Sequence, residues 1–155
     1  AAEESGKGIG RIRLRHVPDL TQESLHGFIT DSIEPASTVR TDGFKSYLGL
    51  TDYVHDQRLQ RRQRKGERLL PRVHRVVSLL KRWLLGTHQG AIHQQHLDYY
   101  LDEFTFRFNR RTSASRGKLF YRLLQQAMQV NPVPYRSIAG GKPVCKSQLQ
   151  VESIE

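Results

Sequence analysis

The sequence predicts an α/β fold whose strands sit in the first half and whose second half is helical. Three observations carry this. Ile9–Val17 alternates apolar and basic residues, Thr38–Thr41 is rich in β-branched residues, and the segments between Leu69 and Val130 follow helical spacing. Strands followed by helices, then helices alone, describe a small sheet with a helical C-terminal cover.

The elements follow in order. In Ile9–Val17, Ile12 and Leu14 share one strand face and Arg11, Arg13 and Arg15 the other, until Pro18 stops the run. Thr21 is placed to cap a helix whose apolar positions Leu25, Phe28, Ile29 and Ile33 fall at helical spacing before Pro35. Thr38–Thr41 is a short strand. Asp42-Gly43 turns the chain into a brief helical segment around Phe44–Leu50, and Tyr53-Val54-His55 offers a third strand.

A long helix starts near Pro71, which suits a first turn, and buries Val73, Val76, Val77, Leu80 and Leu84 until Gly86 ends it. A third helix, about His93 to Arg110, buries Leu97, Tyr100, Leu101, Phe104 and Phe108. A fourth, Arg116 to Val130, offers Leu119, Phe120, Leu123, Leu124 and Ala127 to a core. Residues 131–155 hold Pro132, Pro134, Gly140, Gly141 and Pro143 without periodicity, so they are expected to be an extended or disordered tail to a domain of residues 1–130. The sheet is small for a complete fold, which points to a further strand before Ala1.

Composition narrows the partners. A chain of 155 residues with 37% hydrophobic content supports one modest core. The net charge of +10 and pI of about 10.2 favour a polyanion, nucleic acid before an anionic membrane. Between Arg58 and Arg82, ten Lys or Arg stand against one acid, Glu67, a local net of +9. The alternative for that run is a solvated loop with no partner. One cysteine, Cys145, excludes an internal disulfide and an all-cysteine zinc site, and a reducing cytoplasm is expected. No apolar run approaches the ~20 residues that span a bilayer, so no membrane role is expected.

His74 and Lys81 lie seven residues apart, within about 20° of each other on one helix face at about 100° per residue. Asp42 ends a strand. A carboxylate at a strand end facing a polar helix face suits metal-dependent phosphoryl transfer. Each residue also has a plainer reading. Asp42 suits a turn in Asp-Gly, His74 a structural role, and Lys81 beside Arg82 a solvated pair favoured by the helix dipole. His93 and His96, three apart at a helix start, lack a third partner and read as surface or capping residues.

The run Gly10-Arg-Ile-Arg-Leu-Arg15, then Val39-Arg-Thr-Asp-Gly-Phe-Lys-Ser-Tyr47, Arg72-Val-His-Arg-Val-Val-Ser-Leu-Leu-Lys-Arg82, Gly86-Thr-His88 and Tyr100-Leu-Asp-Glu-Phe-Thr-Phe-Arg-Phe-Asn-Arg110 resembles the ISXO2-like domain of bacterial insertion-sequence transposases, over about residues 2–128. The resemblance implies an RNase H-like fold with a DDE-type site. Such a site holds two Mg²⁺ ions for hydrolysis and transesterification of DNA. By position the second acid falls on Asp42. The third ligand, variable in this family among Glu, Asn and His, falls on His74, and a Lys two turns later falls on Lys81. Imidazole suits Mn²⁺ better than Mg²⁺, so Mn²⁺ is a further expectation, with His74 orienting a metal-bound water as an alternative.

DNA ends and target DNA are the implied partners, with assembly into a homo-oligomer on DNA. Arg61, Arg62, Arg64, Lys65, Arg68, Arg75, Lys81 and Arg82 are the expected phosphate contacts. The first acid of the family belongs to a strand upstream of Ile9, and this sequence holds no match for it. Glu3 and Glu4 correspond to the second strand or its hairpin. The fold is therefore expected to lack its N-terminal strand, and the chain to be inactive alone. The competing readings are a non-catalytic basic DNA-binding remnant and an unrelated basic helical protein that binds RNA.

Overall fold

The computed structural model describes residues 1–59 and 69–135. Two compact units divide the chain, Ala1–Asn109 and a second beginning at Arg110. The fold is mixed α/β. Its first unit opens with an antiparallel hairpin, β1 (Ala2–Ser5) and β2 (Gly8–Ile12). Gly6, at φ 53°, takes the left-handed backbone that a two-residue hairpin turn needs. The alternation in Ile9–Val17 predicted a longer strand. The hydrogen bonding carries on one pair past Ile12, where Arg13 and Ala1 exchange both backbone hydrogen bonds, while the outward N–H and C=O of Ile12 go to Asn109: Ile12 donates to Asn109 Oδ1 at 2.7 Å and accepts from Asn109 Nδ2 at 3.0 Å. Beyond it, Arg15 leaves the strand pattern to pair with Asp31 at 2.8 Å and to lie over the Phe28 ring.

Helix α1 (Gln22–Ser32) begins where the sequence placed its cap. Thr21 Oγ1 accepts from the Ser24 N–H, and Asp19 accepts from the hydroxyls of both Thr21 and Ser24 at 2.6 Å. Those hydrogen bonds, Ser24 first, hold the Asp19 carboxyl below its ordinary value. β3 (Thr38–Thr41) follows, then a short 3-10 turn at Lys45–Tyr47, then β4 (Val54–Gln57). β3 and β4 pair in parallel, Arg40 opposite Asp56, so the expected third strand exists. The described strands form two separate two-stranded sheets, however, and not the single layer the sequence suggested.

Helix α2 (Pro71–His88) starts on Pro71 as predicted but runs through Gly86, ending at Gln89 and Gly90, both in left-handed backbone. Its buried face is narrower and rotated from the predicted stripe. Val76 is buried with Leu79, Leu80 and Trp83 against it, whereas Val73 and Val77 are exposed. Helix α3 (Leu97–Asn109) follows a 3-10 turn at Gln94–His96 and buries Leu101, Phe104 and Phe108. Trp83 meets Phe104 at 5.6 Å between ring centroids, and Phe104 meets Phe108 at 5.9 Å, which settles these aromatics as core.

Two cores result. One joins the hairpin, α2 and α3 through Ile12, Val76, Phe104 and Phe108, and the other joins α1, β3 and the chain up to β4 through Ile29, Val39, Leu50 and Tyr53. In the second unit, α4 (Arg116–Gln129) was expected to bury Phe120, Leu123 and Leu124, and all three are exposed. No helix among the described residues is long and apolar enough to cross a membrane. Of the predicted tail, residues 136–155 lie outside the described residues.

Candidate functional site

Asp42 sits immediately after β3, half-buried, where the Asp-Gly pair was read as a turn. Its Oδ1 accepts from the Phe44 N–H at 3.2 Å, so the side chain does shape the turn, leaving its other oxygen with no protein donor among the described residues. The preceding Thr41 is buried, and its hydroxyl reaches the Asp42 carbonyl at 3.0 Å and His55 Nε2 at 2.7 Å. Thr41 and His55 thereby fix the backbone that presents Asp42. Burial and the neighbouring Asp42 charge both push the Tyr47 phenol upward, burial more strongly.

His74 and Lys81 are exposed on α2 and share the face their spacing predicted. At about 100° per residue they lie roughly 140–160° around the helix from buried Val76, so that face points away from the core. Neither side chain has a hydrogen-bond or ion-pair partner among the described residues, where Ser78 bonds only the His74 carbonyl. Arg75 and Arg82 are exposed on the same helix. Arg61, Arg62, Arg64, Lys65 and Arg68 lie outside the described residues.

What spans the two cores is a chain of charges that sequence reasoning missed. Glu4 on β1 pairs with Arg40 on β3 at 2.8 Å and with Arg72 on α2. Arg40 also holds Asp56 at 2.9 Å, and Asp56 holds Arg58 at 2.8 Å. Arg72 in turn donates to the carbonyls of Gly6 and Gly8, anchoring the start of α2 to the hairpin. Glu4 is thus committed between two guanidinium groups, and the Glu3 carboxylate accepts from the Arg11 N–H at 2.7 Å. No sequence signal distinguishes these acids, because their partners come from distant segments.

Charge is also distributed unlike the first count suggested. The described residues 1–59 and 69–109 hold twelve Lys or Arg and twelve Asp or Glu, whereas 110–135 hold five and none. Counting acids past Glu103 would have found this second basic segment.

The family model of the ISXO2-like transposase domain matches residues 1–109. The chain belongs to this family. The matched residues of this transposase domain end where its first compact unit ends, so α4 lies outside them, short of the predicted limit near 128. Searches of curated proteins and of solved structures gave no match.

Mg²⁺ takes about six oxygen ligands, and a two-metal site needs several carboxylates. Among the described residues no three His, Cys, Asp or Glu side chains come together to hold a metal. Asp42 and His74 therefore do not fit such an ion by themselves.

Proposed function

We propose that this transposase domain takes part in DNA strand cleavage and transfer by an insertion-sequence transposase, with an RNase H-like arrangement, in the bacterial cytoplasm. The carrying observation is the family match over residues 1–109, which contains Asp42, His74 and Lys81. Among the described residues Asp42 has a carboxylate oxygen without a protein donor, on a backbone fixed by Thr41 and His55, and Lys81 has an ammonium without a partner, suited to a DNA phosphate. Mg²⁺, or Mn²⁺ given the imidazole of His74, is the ion this reading requires, completed by a further carboxylate.

The sheets support a place for that carboxylate. The outer edge of β2 is closed at Ile12 by Asn109, and Glu4 on β1 reaches Arg40 on β3. A strand added between β1 and β3 would join both sheets into one. Arg61, Arg62, Arg64, Lys65, Arg68, Arg75 and Arg82 supply sequence-independent backbone affinity, and the working form is a homo-oligomer on paired ends.

In a protein that also supplies the further carboxylate, strand transfer with labelled insertion-sequence ends and Mg²⁺ or Mn²⁺ tests the site. Asp42→Ala is expected to abolish it, and activity retained in that variant overturns the assignment. A second reading, a non-catalytic DNA-binding relic, draws on the absence of a three-residue metal cluster among the described residues. It predicts salt-sensitive DNA binding with no strand transfer under either metal.

A further inference from the structure

Charge divides the chain into three parts. Arg58–Arg82 carries a net +9, and residues 104–151 carry another +9 from nine Lys or Arg with no Asp or Glu, so the remainder is acidic at −8. A surface kept soluble by charge mixes both signs, and 48 consecutive residues without an acid do not. Helix α4 belongs to this second basic segment and lies outside the family match.

The cations of α4 do not serve the helix itself. Lys118 stands in the first turn, where the helix dipole disfavours a positive charge, and that turn holds no acid. With no carboxylate three or four residues away, neither Lys118 nor Arg122 has an ion-pair partner on α4. On a wheel of about 100° per residue, Lys118, Tyr121, Arg122, Gln125 and Gln129 fall within an arc of about 100°, and all five are exposed. Each of these side chains can donate a hydrogen bond. Arg116 lies on the far side, with Phe120, Leu123 and Ala127, and is no part of the strip.

We propose that this strip of α4 is a second contact for the sugar–phosphate backbone of duplex DNA, separate from the Arg58–Arg82 run. Phosphate oxygens accept hydrogen bonds and carry negative charge, and Lys, Arg, Gln and Tyr side chains are among the groups that meet them. Lys118 to Gln129 covers about 16 Å of helix axis, while the phosphates of one strand follow each other every ~3.4 Å of duplex axis, so the strip is long enough to meet several. An anionic membrane would take the apolar face of α4, and Lys118 and Arg122 lie about 160° from Phe120, turned away from the headgroups. The proposal goes beyond the strand-transfer reading and stands whether or not Asp42 serves catalysis. Only the choice of DNA over RNA rests on the family.

The test is fluorescence anisotropy of a labelled duplex of about 20 base pairs with the nuclease-treated full chain, between about 50 and 200 mM salt. Lys118→Gln combined with Arg122→Gln keeps good helix formers at both positions. This variant is expected to bind about tenfold more weakly at the low-salt end, and the slope of log K against log salt should fall by about 2, one for each lost phosphate contact. Lys118→Arg keeps the charge and should bind like the parent chain. Lys7→Gln combined with Arg11→Gln removes the same charge from the exposed hairpin and should change the slope by less than about 1. An unchanged slope in the α4 variant overturns the proposal. Equal losses in the two double variants also overturn it, since net charge alone would then set the affinity. So does tighter binding of duplex RNA than of DNA, or a variant that loses phosphatidylglycerol vesicles while holding DNA, which would assign the strip to a membrane.

Discussion

The two cores of the first unit are built differently. The Ile12, Val76, Phe104 and Phe108 core gathers residues from the hairpin, α2 and α3, and Asn109 closes it onto β2 across 97 positions of sequence. The Ile29, Val39, Leu50 and Tyr53 core is drawn from one short stretch and closed by the Tyr53 hydroxyl donating to the Ile33 carbonyl at 3.1 Å. The first carries His74 and Lys81 on its helix, and the second carries Asp42 just past the end of its strand β3. The proposed site is thus seated on two foundations, and its geometry depends on whatever holds them in register. Among the described residues Glu4, between Arg40 and Arg72, shares that role with Arg15, which pairs with Asp31 of α1 and lies over Phe28.

The strongest way to break this comparison is Ile12→Ala. Ile12 is 1% exposed, and its loss should cost about 3 kcal/mol in urea unfolding followed by Trp83 fluorescence. An equal shift in the tyrosine signal of the second core would make the two cores one cooperative unit and erase the distinction. Asn109→Ala comes next, at about 2 kcal/mol, because it strands both backbone groups of Ile12 at once. A loss no larger than for an exposed residue would remove the clamp from the account. Tyr53→Phe removes one hydrogen bond from the second core and should cost about 1 kcal/mol.

Glu4→Gln should cost less than about 1 kcal/mol, since the carboxylate is partly exposed and surface pairs are screened. Its larger effect is expected on strand transfer, where the register of Asp42 with His74 counts. Unchanged strand transfer would show that something else aligns the cores. The smallest effect is on acid sensitivity. The Asp56 carboxyl is held below its ordinary value, chiefly by the Arg40 hydrogen bond and then by that of Arg58. A lowered folded-state pKa stabilises above the unfolded value of about 3.9 and is lost as pH falls through the lower folded value. Thermal midpoints should therefore carry the full contribution of this pair, and no pH dependence from it, near neutrality and lose it only in acid, and Asp56→Asn should flatten that limb. An identical acid limb in the variant would exclude Asp56 as its source.

Local signals were legible in the sequence. Thr21 capped α1, Pro71 opened α2, β-branched residues formed β3, and the seven-residue spacing put His74 and Lys81 on one face. What failed depended on distant partners. Val73 and Val77 have the right spacing for a core, but α3 and the hairpin cover the side of α2 that bears Val76 and Trp83. The stripe on α4 was read correctly as amphipathic, yet periodicity cannot say whether a face is covered by its own chain. Asp42 was read as both ligand and turn residue. The turn bond is present, and it uses only one of the two oxygens.

The amide of Asn109 has a consequence for association as well as for folding. A peptide unit presents one donor and one acceptor to a neighbouring strand, and the Asn109 side chain offers Ile12 the same pair, at 3.0 Å or less. It therefore occupies the rung that an incoming strand would need, and a hairpin edge that would otherwise template pairing with another molecule is capped there by a single residue.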